Sequence, residues 1–537
     1  MHGTAMGALL SAAALVLGVG QVSAPASAEA GERAAAGRRE AGAAALWPDG
    51  QAVRLDAQLA RELLDAARGA QPVLCAIAVE AVESRRGGWG WRDSPAGVAD
   101  PSGAARWAVS ERPSGEALPV LLRGIEDPDP CVQAIAARVV SHAKQGTATA
   151  ALLRTLESPA AGTRAAASVA LGLSDDKAAV VDLIELLEDR AAEVRAAASW
   201  ALGALEDVRA VAPLGRALDD EVPDVRAAAA SALGHFQGQG VVQSLVQLLR
   251  SDPDERVRVA AAAALGRLES REAVSALGAA LADRSTALRR TAAWALGQIE
   301  DAAAVPHLAR AVRDRDEEVR EMAVWALGQI EDREAVEPLA GVLSGDDAAG
   351  LRRTAAWALG EIEDASAVEP LAEALRSDRD DEVRRMCAWA LGQIESQSAV
   401  PALAAAVSDD SPAVRAMAAW ALGQIESERS VSALSGALRD NSAAVREMAA
   451  WALGQIESDA AVPGLTGALR DVEARVRRMA LWALGQIESP SAYTAIAEAL
   501  RDADAEVRGA AVRAIGRGGV NPMPMPMPMP MPRPFPR

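Results

Sequence analysis

Tryptophan, glutamine and methionine recur in this sequence at spacings that suit binding rather than catalysis. The heptapeptide W-A-L-G-Q-I-E starts at Trp294, Trp325, Trp389, Trp420, Trp451 and Trp482, and a seventh copy at Trp357 carries Glu361 in place of Gln. Gln298, Gln329, Gln393, Gln424, Gln455 and Gln486 follow their tryptophans by one helical turn, and Met322, Met386, Met417, Met448 and Met479 precede them by three residues. A contiguous aromatic and methionine-rich surface marks an interaction site. Nothing recurs with it that could do covalent chemistry. His2, His142, His235 and His307 are never followed by Glu, which removes an H-E-x-x-H zinc site. The three cysteines fit no zinc or thioredoxin spacing. No nucleophile–base pair, metal site or cofactor is assigned, and an enzyme is not expected.

Two further residue sets have a chemistry of their own. Met523, Met525, Met527, Met529 and Met531 alternate with proline. Alternate residues then lack an N–H, so residues 519–537 are expected as a polyproline II or disordered tail. Such a strand can dock on an aromatic groove. The same methionines could instead offer soft thioethers to Cu(I), which would make the protein a metal-handling or sensory one. The second set is Arg164, Arg195, Arg226, Arg258, Arg289, Arg320, Arg352, Arg384, Arg415, Arg446, Arg477 and Arg508, most with an Asp six residues earlier. The pairing predicts an Asp–Arg stitch between the turns of adjacent repeats, since guanidinium bonds carboxylate bidentately. A row of anion-binding arginines is the alternative.

The elements that must position these residues repeat too. A glycine recurs every 31 or 32 residues, as Gly172, Gly203, Gly234, Gly266, Gly297, Gly328, Gly360, Gly392, Gly423, Gly454, Gly485 and Gly516. Counting back adds a degenerate first unit at 116–143, giving thirteen. Self-similarity at this period marks a solenoid. Each unit reads helix–turn–helix. In 301–331, Asp301 is a candidate N-cap, Pro306 sits in the first turn, Asp314-Arg315-Asp316 turns the chain, and the second helix runs from Glu317 to Ile330. Ser396, Ser427 and Ser458 take the cap role in later units. On a helical wheel Val414, Ala418, Ala421, Leu422 and Ile425 form one buried stripe. Met417, Trp420 and Gln424 fall on another arc, so they are expected to face the concave surface that second helices line. The competing reading lays each Trp flat between adjacent second helices.

Composition agrees. Of 537 residues about half are apolar, with only 2 Phe and 1 Tyr, which suits thin layers of small helices. The net charge of −19 excludes a nucleic-acid backbone and favours a basic or neutral partner. Only Lys144 and Lys177 are not Arg among the cations, a habit of GC-rich bacterial genomes. Residues 1–28 read as a signal peptide, with an apolar run over 5–20 and Ala26-Ser27-Ala28 as cleavage site. The protein is therefore expected to be exported, periplasmic or extracellular, with no stable membrane insertion after cleavage. Residues 29–46 read as a flexible linker and 47–115 as an atypical helical segment, including the loop 84–103 with Trp89 and Trp91. Cys387 occupies a slot that is Ala in sister units and should be core. Cys75 and Cys131 either pair or are separately buried.

The unit A-V-x-P-L…V-R-x-x-A-A-x-A-L-G-x-I resembles HEAT-like repeats of the phycobilisome-lyase type over about 116–518. The resemblance implies an all-α, right-handed solenoid and a binding scaffold. One relative, deoxyhypusine hydroxylase, builds a di-iron site from His-Glu pairs in its repeats, and no such pair occurs here. The second helix is also similar to armadillo repeats of the importin-α type. There W-A-L-x-N places Trp and Asn one turn apart, Asn holding a peptide backbone and Trp walling side-chain pockets. Gln stands at the Asn position here. The resemblance implies a protein or extended peptide partner, basic or proline-rich, along the Trp, Met and Gln row.

Overall fold

The computed structural model describes residues 55–70, 113–144 and 146–515, all helix, turn or loop. The expected signal peptide, linker, Trp89–Trp91 loop, Cys75 and Met-Pro tail lie outside the described residues. Contacts divide the chain into two compact units that meet in sequence between Leu233 and Gly234. Each is built from stacked helix pairs, and the protein is an all-α solenoid.

Residues 301–331 show how the sequence makes one pair. The Asp301 carboxylate accepts from the N–H of Ala303, starting a 3-10 turn over Ala302–Ala304. That turn runs into the first helix, Val305–Ala311, where Pro306 needs no N–H partner. Asp316 then caps the second helix, Glu317–Ile330, accepting from Glu318 and Val319. The expected bounds hold here. The expected serine caps hold in part: Ser396 accepts from Ser398, whereas Ser427 and Ser458 take the extended cap conformation with no side-chain bond.

The last residue of the heptapeptide ends the helix, as do its counterparts Glu206 and Glu269 in earlier units. Glu206, Glu269, Glu300, Glu331, Glu363, Glu395, Glu426, Glu457 and Glu488 all lie in the left-handed region, with φ between 47 and 54°. Glycine is the ordinary residue there, and a side chain makes the conformation cost about 1–2 kcal/mol. Packing on both sides of the turn must hold it in place.

The arginine ladder is a stitch, and it runs forward. Arg415 donates from Nε and Nη2 to Asp440, one repeat ahead, at 2.7 and 2.8 Å. Its Nη1 reaches back to the carbonyl of Asp409 at 2.9 Å. Asp440 in turn accepts from the N–H of Ser442, and its carbonyl accepts from Arg446. Each Asp therefore joins two repeats and fixes its own turn. The same bidentate contact joins Arg164 to Asp189, Arg195 to Asp220, Arg289 to Asp314, Arg352 to Asp378, Arg384 to Asp409, Arg446 to Asp471 and Arg477 to Asp502. These guanidinium groups are largely buried and already hold a carboxylate, which leaves no row of anion sites.

At the start of the array the helix Ala57–Ala67 stands in for a preceding repeat. Arg68 bonds Asp127 at 3.0 and 2.8 Å, and the Gly69 N–H bonds Asp129 at 2.8 Å. Asp127 occupies the turn position that receives an Arg elsewhere. Cys131 is disulfide-bonded. Cys387 is free and fully buried, as its slot implied, and burial pushes its thiol up.

Partial burial pushes the Asp440 carboxyl up, but the Arg415 hydrogen bonds, the Ser442 N–H and the guanidinium charges outweigh it and hold the carboxyl below its usual range. Its contribution to stability is thus complete above the unfolded value of about 3.9 and lost as pH falls through the lower folded value. Asp440→Asn should cost about 1.5–3 kcal/mol at pH 7, the range for hydrogen bonds to charged groups. Urea titrations from pH 7 to pH 2 should show this gap narrowing as the wild type loses its ion pair.

Candidate functional site

The second helices pack chiefly on one another. Each approaches the next through the recurring glycine. A methyl group placed on Gly423 would lie 2.5 Å from Cζ3 of Trp451 and 3.0 Å from Cα of Ala452. The same seat is repeated by Gly266 under Trp294, Gly297 under Trp325, Gly328 under Trp357, Gly360 under Trp389, Gly392 under Trp420 and Gly454 under Trp482. Every tryptophan of the heptapeptide thus lies against the glycine of the preceding repeat. Where no Trp is present, Gly203 still meets Cα of Ala232 at 2.7 Å from the same notional methyl. The helix approach itself demands glycine, and the indole uses the flat surface that glycine leaves.

This corrects the expected orientation. Trp325, Trp357, Trp420 and Trp451 are only 2, 4, 7 and 5 % exposed. Met386, Met417, Met448 and Met479 are buried as well, and only Met322 is half-buried. Trp294, Trp389 and Trp482 keep a part-exposed edge. The wheel assumed one buried face per helix. An interior second helix has three neighbours: its own first helix and the second helices before and after. Val414, Ala418, Ala421, Leu422 and Ile425 are buried as the stripe predicted. The arc opposite is buried too, by the neighbouring repeats.

What remains part-exposed on that arc is narrower. Gln298, Gln329, Gln393, Gln424, Gln455 and Gln486 are half-buried, one per repeat. Four residues before each Trp stands a position that the repeat motif hides: Arg290, Glu321, Arg353, Arg385, Ala416, Glu447 and Arg478. It lies one turn from Trp, as Gln does on the other side, so the three form a stripe along each second helix. Its charges are of both signs and are partly paired across repeats: Arg290 with Glu318, Arg478 with Glu506, and Arg475 with Glu447 at 3.4 Å. Burial holds the Glu321 carboxyl above its usual range, aided by the nearby Glu317, and burial does the same at Glu447 against Arg475 and Arg478. The variable charge inside an otherwise repeated unit was the available signal in the sequence. Among the described residues no three His, Cys, Asp or Glu side chains come together as metal ligands. No helix among them is long and apolar enough to cross a membrane.

A family model described as HEAT repeats matches residues 149–234, 180–258, 242–318, 308–385, 368–444 and 435–516. No curated protein matches the sequence. Among solved structures, importin beta is 17% identical over 74% of this chain and 66% of that chain, with a TM-score of 0.49. The chain therefore spans just under two thirds of importin beta. Human deoxyhypusine hydroxylase in complex with glycerol is 28% identical over 46% of this chain and 96% of its own, with a TM-score of 0.22. The complex of CpcE and CpcF of phycocyanin lyase from Nostoc is 25% identical over 42% and 92%, with a TM-score of 0.27.

The burial pattern separates the two halves of the heptapeptide by experiment. Trp451→Ala removes a buried ring at a repeat junction and should cost about 3–5 kcal/mol. Gln455→Ala, on the part-exposed stripe, should stay within about 0.5 kcal/mol. Chemical denaturation followed by circular dichroism measures both.

Proposed function

Because the chain belongs to the HEAT-repeat family, matched across residues 149–516, we propose that it is a scaffold that holds a protein or extended peptide along its second helices. The partner lies on the side that second helices line in stacked helix pairs. The observation that carries this reading is the stripe of part-exposed side chains at one position per repeat. The Gln amides form its constant element, spaced by the helix packing distance of about 9–10 Å. Each amide can donate to and accept from a backbone. The edges of Trp294, Trp389 and Trp482 and the side chain of Met322 supply apolar contact. The buried tryptophans and methionines act indirectly, by fixing the spacing of the rungs.

The charged position supports selectivity. Arg290, Arg353, Arg385 and Arg478 are interspersed with Glu321 and Glu447, so the stripe reads charge along a partner rather than net sign alone. The overall charge of −19 favours a basic partner over long range. The apolar run over 5–20 and the site Ala26-Ser27-Ala28 make export part of this proposal.

Changing Gln393, Gln424 and Gln455 together to Ala tests the stripe without opening a repeat junction. The probe is an array of basic and proline-rich peptides. Peptides retained by the wild type should be lost by the triple variant while its thermal transition is unchanged. Equal retention by both proteins would overturn the proposal.

A further inference from the structure

The far end of the array is built differently from its start. Arg477 makes the usual bidentate contact to Asp502 at 2.9 and 3.0 Å. Arg508, the next in the ladder, keeps only the backward half: its Nη1 donates to the carbonyls of Asp502 and Ala503 at 2.8 and 2.9 Å. Among the described residues no carboxylate meets its Nε and Nη2, and the side chain is exposed.

The apolar positions around it are open in the same way. Val512 is 61 % exposed, whereas Ala293, Val324, Ala356, Ala388, Ala419, Ala450 and Leu481, at the same place in earlier repeats, are all fully buried. Leu500 is 40 % exposed, whereas its counterparts Val407, Leu438 and Leu469 are 6, 6 and 9 %. Both sites carry a larger side chain than an exposed position needs. The acids nearby face the preceding repeat or cap their own helix. Glu498 faces Arg470, Asp502 faces Arg477, Glu506 faces Arg478, and Asp504 caps the last helix. Arg501, Arg508 and Arg513 are exposed, and no carboxylate among the described residues pairs with them. An apolar face rimmed by three cations that lack a carboxylate partner among the described residues therefore closes the described array, in a chain whose net charge is −19.

We propose that this end is a docking face for a helix–turn–helix of another protein, one that brings an aspartate in its turn to Arg508 and covers Leu500 and Val512. Charge complementarity selects this occupant. Residues 516–537 contain no Asp or Glu, so these residues have no side-chain carboxylate to offer. Among its described residues, the head of a second copy offers no unpaired turn aspartate either, its exposed Asp65 lying within the helix Ala57–Ala67. Its Asp127 already holds Arg68, and its first repeat is covered by the helix Ala57–Ala67, whose Leu64 packs 2.7 Å from a methyl placed on Gly124. This face is separate from the glutamine stripe, so the two proposals stand or fall independently.

The probe is a designed three-unit helix-pair protein with an unpaired aspartate in its first turn, and its asparagine counterpart is the control. Titrated against the full chain, the aspartate probe should bind saturably. Its affinity should fall at least tenfold for Arg508→Gln, for Val512→Asp and for the asparagine probe, with peptide retention by the glutamine stripe unchanged. Equal affinity across these variants, or no binding at all, overturns the proposal. So does a chain whose self-association in sedimentation is lost in Val512→Asp, which assigns the face to a second copy. Probe binding that needs removal of residues 516–537 overturns it in favour of the tail.

Discussion

The close approach of successive second helices governs this protein. A side chain at Gly423 would crowd both Ala452 and the ring of Trp451, 3.0 and 2.5 Å from a methyl placed there. That contact recurs along the array. It sets the rise from one repeat to the next, and it requires everything else near the junction to be small or flat. Alanine supplies the small positions, at Ala419, Ala421 and Ala452. Indole supplies the flat one. A tryptophan laid on a glycine gains a full face of contact that no aliphatic side chain of its volume could match.

Polar groups close the same junction at its rim. Each turn aspartate accepts the arginine of the repeat before, fixes its own turn and offers its carbonyl to the arginine of its own repeat, as Asp440 does between Arg415 and Arg446. Such a chain is sensitive to the loss of any one member, because the remaining charge stays buried. Glu426 holds a conformation that glycine would take more readily, and it does so between a packed helix and a turn. The heptapeptide is thus one structural unit from Trp to Glu, with Gln as the side chain left over for another purpose.

Much of this was legible in the sequence. The glycine period gave the number of repeats, Asp301, Pro306 and Asp316 gave the helix bounds, and the Arg and Asp spacing gave the stitch. The direction of Trp420 was not legible from a wheel, because a wheel counts one partner per helix and this helix has three. The glycine three residues after each Trp held the missing information, since a bare backbone on one helix implies a broad flat group on its neighbour. The charged position before Trp is masked in the repeat motif because it varies, although variation within a copied unit marks the surface that copying did not fix. Arg68 filling the slot at Asp127 could not be foreseen, since the helix Ala57–Ala67 lacks the repeat motif.

The central claim is that each indole is held by the glycine of the preceding repeat. A double-mutant cycle on Gly392→Ala and Trp420→Ala tests it most directly, read as unfolding free energies from urea titrations. A methyl on Gly392 would lie 2.7 Å from Cζ3 of Trp420, so adding it should cost much less once the ring is gone. The account predicts a coupling of at least about 1 kcal/mol between the two sites. Costs that add to within about 0.3–0.5 kcal/mol would contradict it, and would place the tryptophan clear of the neighbouring helix.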